Sequence, residues 1–179
     1  MRTQRTWNMT QMAMMTGVLC IVSPVMIPIP FSPVPMTLAT FGIYMIASLL
    51  GVKKGVLCVL GYILLGMAGL PIFSGFSSGI ITLAGPTGGY IIGYLPCVFF
   101  IGWLLEKKRN KNSRIWYFFS FACGTICCYL FGMIWFMIVM TGTYTIGQTI
   151  LICVVPYLFF DIIKILLATT IVRQIKHRI

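Results

Sequence analysis

The chain has 179 residues, 59% hydrophobic and 8% charged, and its mean hydropathy of +1.00 exceeds what a soluble core of this size can hide. Thirteen Lys and Arg against two acidic residues give a net charge of +11. The basic residues stand in short clusters beside apolar segments rather than on a basic face interleaved with aromatics, which sets nucleic acid aside and favours membrane lipid as a partner.

Apolar segments follow one another at about 9–27, 34–50, 55–69, 88–105, 115–140 and 149–172, each within or near the length of a spanning helix. They predict an all-α fold, a single domain over 1–179 built as an integral membrane bundle of six transmembrane helices. No A-x-A cleavage site follows the first segment, and Pro24, Pro28 and Pro30 come instead, so it reads as a retained helix and no signal peptide is expected. Within it Ala13 and Gly17 form a small-x-x-x-small pair among Met9, Met12, Met14 and Met15. Such spacing admits a neighbouring helix closely, either from the same chain or from another membrane subunit.

The connection at 23–35 holds five prolines, which deny a regular helix and predict a stiff apolar cap. The third segment is short and carries Gly55, Gly61, Gly66 and Gly69. After it, Leu70 to Tyr90 contains Gly75, Gly79, Gly85, Gly88 and Gly89 with Ser74, Ser77, Ser78, Thr82 and Thr87. An uncharged connection of that length predicts a lid, with a plain linker as the alternative. In the last segment Pro156 fits the first turn of a helix, which would put Asp161 and Lys164 in its outer half; a start at 149 would instead kink the helix and bring them to the midplane. The first reading is favoured.

Orientation follows from the cations. Arg2 and Arg5, then Lys53 and Lys54, then Lys107, Lys108, Arg109, Lys111 and Arg114, and finally Arg173, Lys176 and Arg178 fall on one side if there are six crossings. The positive-inside rule makes that side cytoplasmic, with both termini there, in a multi-pass protein of the cell membrane. The outer connections, around 23–35, 70–87 and 141–148, contain no Asp, Glu, Lys or Arg.

Little catalytic chemistry is available. The seven cysteines form no C-x-x-C pair and read as small buried hydrophobes, although Cys123 and Cys127 share a helix face. The one histidine, His177, lies in the basic tail, so no metal site and no imidazole catalysis are expected within the membrane. No phosphate loop occurs, so any ATP-driven step requires a partner. Glu106 reads as a solvated interfacial charge. Asp161 and Lys164 are the only opposite charges inside the apolar segments. At a helix centre each costs about 2.5–3.5 kcal/mol, whereas an i,i+3 ion pair recovers only about 0.2–0.5 kcal/mol when exposed. Packing alone does not justify the pair, which marks a ligand site.

The runs Pro33-Val-Pro-Met-Thr-Leu38, Gly69-Leu-Pro-Ile-Phe-Ser-Gly-Phe-Ser-Ser-Gly79, Leu83-Ala-Gly-Pro-Thr-Gly-Gly-Tyr90 and Asp161-Ile-Ile-Lys164 bring a family into view. Over essentially its whole length the chain resembles the BioY family, the biotin-binding S components of energy-coupling-factor vitamin transporters. The resemblance implies a transport subunit rather than an enzyme, with no cofactor and biotin as the transported ligand. It also implies partners: a transmembrane coupling subunit and two ATPase subunits. Carried over by position, Lys164 is expected near the biotin carboxylate, and Asp161 near the ureido ring or supporting the lysine. Gly75, Ser77 and Gly79 match the loop that closes over the ligand, Tyr90 ends it, and Phe31 would pack on the apolar part of biotin. Ala13 and Gly17 match the motif that docks the coupling subunit, with Gly in place of the usual second Ala. Ala39 departs from the family, where many members carry glutamine, and removes any hydrogen bond expected there. The alternatives are an S component for another small vitamin, a membrane thiol oxidoreductase and a channel-like bundle.

Overall fold

A computed structural model describes residues 2–29, 32–107, 113–141 and 145–178. The first helix, α1 (Arg2–Val22), ends earlier than its apolar run because Pro24 disfavours helical backbone at Ser23. The proline-rich connection then forms a minimal antiparallel ladder of β1 (Met26–Ile27) and β2 (Met36–Thr37), with Met26 opposite Thr37 and Ile27 opposite Met36. Prolines cannot donate to a ladder, and Pro28, Pro33 and Pro35 lie between the two strands rather than in them.

Helix α2 (Ala39–Met67) is broken at Gly51, whose φ of 74° and ψ of −171° are open essentially to glycine alone. A Cβ built on Gly55 would lie 3.5 Å from the Ile46 side chain and 3.8 Å from the Ala47 Cα. Along a straight helix, residues eight or nine apart are separated by about 12–13 Å. The two legs, 39–50 and 52–67, therefore fold back on each other as a hairpin. Glu106 secures the turn: its Oε1 accepts the Val52 N–H at 2.8 Å, at the start of the second leg. The carboxylate is exposed, and it also caps a helix N-terminus, where negative charge is favoured.

The connection expected to be an open loop is partly helical, with a 3-10 turn at Ser74–Phe76 followed by α3 (Gly79–Ala84). Next come α4 (Gly88–Lys107), packed between α2 and α5, and α5 (Arg114–Val139). The short α6 (Ile146–Cys153) opens on a capping box formed by Thr145 and Gln148. The chain breaks at Val154, and α7 (Val155–Arg178) starts with Pro156 in its first turn, where the missing N–H is least costly.

Four helical stretches among the described residues are long and apolar enough to cross a membrane: Ala39–Met67, Gly88–Lys107, Arg114–Val139 and Gly147–Lys176. Their surfaces fit that role. On α7 the buried stripe runs Tyr157, Asp161, Lys164, Ala168 and Val172, while Leu158, Phe159, Ile162, Ile163, Leu166 and Leu167 face outward. Charge and hydroxyl point in and hydrocarbon points out, the arrangement of a helix solvated by lipid.

Candidate functional site

Tyr157, Asp161 and Lys164 follow each other at i, i+4 and i+7, so the inner face of α7 brings all three to one wall of a cavity. Its space, counted to the open mouth, is about 600 Å³. The opposite walls come from Thr37 in β2, Thr40 at the start of α2, Tyr90 and Tyr94 on α4, and Thr125 and Tyr129 on α5.

The ion pair is buried and fully bonded. Lys164 Nζ lies 2.8 Å from Asp161 Oδ1, and each side chain is 7% exposed. The same ammonium donates to the Thr37 carbonyl at 2.7 Å and to Thr40 Oγ1 at 3.4 Å, so its three protons are all directed at acceptors. The other Asp161 oxygen, Oδ2, accepts the Tyr129 hydroxyl. This satisfied network is what allows two charges to stay in an apolar interior.

Two connections close the cavity. Tyr157 donates its hydroxyl to the Val34 carbonyl and bonds the Ser32 hydroxyl at 2.6 Å, tying the proline-rich cap to α7. The second connection is anchored by Phe73, fully buried edge-on to Tyr62 at a centroid distance of 5.6 Å. Gly66 makes the room, since a Cβ there would come within 2.2 Å of the Phe73 ring. The Gly75 N–H donates to the Pro24 carbonyl at 3.1 Å and so joins the two caps, while Trp135 Nε1 donates to the Gly85 carbonyl at 3.1 Å.

Of the residues singled out from sequence, Asp161, Lys164 and Tyr90 meet at the cavity. The Tyr90 hydroxyl is already committed to the Cys153 carbonyl at 3.1 Å, so the ring rather than the hydroxyl faces the hollow. Gly75, Ser77 and Gly79 lie beside the cavity without bordering it. Gly75 and Gly79 take positive φ values of 65° and 83°, and Ser77 Oγ donates to the Ser74 carbonyl at 2.8 Å. They shape the turn that lets Ser74 and Thr87 reach the wall. Phe31 lies outside the described residues. Ala13 is exposed and a side chain on Gly17 would meet nothing within 4 Å, so this pair does not pack inside the chain. Ala39 is fully buried at the start of α2 and off the cavity wall.

Sequence reading passed over Tyr129, Tyr157, Tyr94, Thr125, Thr37 and Thr40. A signal was present: Tyr90 with Tyr94, Thr125 with Tyr129, and Tyr157 with Asp161 are polar pairs at i,i+4 inside otherwise apolar helices.

A helical bundle with an apolar outer surface and a hydroxyl-lined hollow around one ion pair, beneath uncharged caps, defines a multi-pass membrane protein with a polar chamber among its helices. The sequence profile described as the BioY family matches residues 1–179, and the chain belongs to that family. It is 39% identical over 150 residues to the biotin transporter BioY of Thermotoga maritima, covering 84% of this chain and 85% of that one. It is 29% identical to biotin transporter BioY2 of Lactococcus lactis, over 99% of this chain and 96% of the relative. A crystal structure of the S-component for biotin from an ECF-type ABC transporter superposes with a TM-score of 0.87 at 29% identity, covering 99% of this chain and 94% of that chain. These relatives are transporters, not enzymes.

Proposed function

We propose that this protein is the biotin-binding S component of an energy-coupling-factor transporter in the cell membrane. It takes biotin from the outer side and passes it inward with a transmembrane coupling subunit and two ATPase subunits. The observation that carries this reading is the buried Asp161–Lys164 pair on the wall of a capped cavity, in a chain of the BioY family. Six crossings follow when α1, the two legs of α2, α4, α5 and the α6–α7 unit each count once. Lys53, Lys54, Lys107, Arg114, Arg173 and Lys176 then share the cytoplasmic side with both termini, and the charge-free caps face outward.

The network suggests which end of biotin it reads. Asp161 and Lys164 are neutral as a pair, and an added carboxylate would bring a net negative charge into a desolvated site. The ureido group is neutral and offers N–H donors for Asp161 and a carbonyl acceptor for Lys164. This favours the ureido ring at the pair, with the carboxylate toward the neutral caps, rather than the carboxylate beside Lys164. Tyr90 supplies an aromatic wall, and the turn held by Gly75, Ser77 and Gly79 serves as the lid. Ala13 and Gly17 form the docking face for the coupling subunit.

Equilibrium binding of biotin to detergent-purified protein tests the reading. A hydrogen bond to a charged group is worth about 1.5–3 kcal/mol, so Asp161→Asn and Lys164→Ala should each weaken binding about tenfold to a hundredfold. Unchanged affinity in both variants would remove the site, and saturation by another vitamin in place of biotin would remove the ligand. Biotin amide, whose tail is uncharged, should lose as much affinity on Lys164→Ala as biotin does; a loss confined to biotin would return the carboxylate to Lys164.

A further inference from the structure

The cap formed by residues 70–87 turns hydrocarbon outward. Phe76 on its 3-10 turn is 71% exposed, and Ile80 and Ile81 on α3 are 65% and 89% exposed, while Leu83 packs inward against the core. Water penalises such a cluster, and exposed apolar surface of this kind marks a contact with protein or membrane. Phe76 is also the one residue other than glycine at positive φ among the described residues, at 60°. That backbone is strained for a bulky side chain, and a ring left so open recovers little of the strain by packing within the chain.

The polar groups of the same segment turn the other way. The N–H groups of Phe73, Phe76 and Ser77 donate to the carbonyls of Ser77, Phe73 and Ser74 at 3.0, 3.1 and 3.4 Å, and the Gly75 N–H is bonded to Pro24. The hydroxyls of Ser77 and Thr82 donate to the carbonyls of Ser74 and Ser78 at 2.8 and 2.9 Å. A loop in water has no need of so closed a network, whereas backbone in contact with hydrocarbon must satisfy itself. The connection 70–87 contains no Asp, Glu, Lys or Arg.

We propose that this cap lies in the outer leaflet of the membrane, with Phe76, Ile80 and Ile81 covered by phospholipid acyl chains. Continuity supports it: Leu57, Leu60, Leu64 and Met67, at i, i+3, i+7 and i+10, form one exposed apolar stripe along the second leg of α2, and Leu70 carries it to the cap. α3 packs beside α2. A protein partner ordinarily meets a polar rim around an apolar centre, and this connection has no charged residue to supply one. Ser74, two residues before Phe76, borders the cavity, so the leaflet becomes part of what holds the cap over the ligand site. The choice of leaflet rests on the orientation proposed above; the contact with lipid does not.

The test is fluorescence quenching of the full-length protein in phosphatidylcholine bilayers, by lipid brominated high in the acyl chains and by iodide in the water. Phe76→Trp and Ile81→Trp each add one emitter to the four native tryptophans, and the added emission is read by difference. Phe159→Trp, on the outward face of α7, calibrates lipid contact, and Thr145→Trp, at the exposed start of α6, calibrates water contact. The emission added at positions 76 and 81 should be lost to brominated lipid to the extent seen at position 159, and should resist iodide. Loss to iodide at the level of Thr145→Trp, without loss to brominated lipid, overturns the proposal. Shielding from both quenchers means that a protein surface covers the cap, and overturns the lipid. Ile80→Trp replaces either variant that fails to fold. Biotin titration of the same samples keeps the two readings apart. Biotin bound with the cap in water sinks this inference alone, and quenching by brominated lipid without biotin binding sinks the proposed function alone.

Discussion

Lys164 and Tyr129 both bond the Asp161 carboxylate, one at each oxygen, and this makes the aspartate the centre of the site. Removing one partner of a buried pair leaves a bare charge, typically at a cost of about 3–5 kcal/mol, whereas replacing both members with neutral groups is often harmless. Lys164→Ala should therefore lower the melting temperature sharply. The double variant Asp161→Asn with Lys164→Met should recover most of that stability and still fail to bind biotin. Thermal denaturation beside a binding titration separates the two effects, and a double variant that binds normally would show that the pair serves folding alone. The two charges were legible in sequence because nothing else in the apolar segments carries charge. Their partners were not, since Tyr129 is 32 residues from Asp161 and the Lys164 acceptors are 124 and 127 residues away, distances that only the folded bundle closes. A tyrosine in an aromatic-rich helix also reads as packing until its hydroxyl is seen to have a target.

The α2 hairpin turns on one residue. A Cβ at position 51 would stand 2.4 Å from Glu106 Oε1, in a backbone region that side chains avoid. Gly51→Ala should cost about 1–3 kcal/mol in backbone strain alone and more through displacement of the carboxylate, read as a lower melting temperature. Pairing it with Glu106→Ala should return only the second part; full recovery would mean that the strain is absent. Sequence marked the boundary between the two apolar runs through Lys53 and Lys54, while the reversal itself depends on the contact with α4. At the other end of the bundle, prolines correctly denied a helix in the first cap. The ladder of β1 and β2 was hidden because two-residue strands carry no periodicity. The glycines and serines of the second cap likewise suggested an open connection, although α3 and the 3-10 turn occupy much of it.

At the scale of the whole molecule, the proposed function assigns roles to separable surfaces, among them the capped cavity and the outward face of α1. The last is tested without touching the others. Gly17 has open space around it and Ala13 is exposed, so Gly17→Leu should leave both the melting temperature and the affinity for biotin unchanged, as surface substitutions generally stay within about 0.5 kcal/mol. Uptake by cells that also produce the coupling and ATPase subunits should fall, because a branched side chain now stands where a second helix approaches. Normal uptake would assign docking to another face. The small-residue spacing was visible from the start, but whether it faced inward or outward required the folded chain. Thr37 lies in β2 and also under the Lys164 ammonium. On the reading proposed above, a guest that drew the Lys164 ammonium to itself would also loosen its hold on the Thr37 carbonyl, so occupancy of the chamber and the seating of β2 would hang on one shared hydrogen bond.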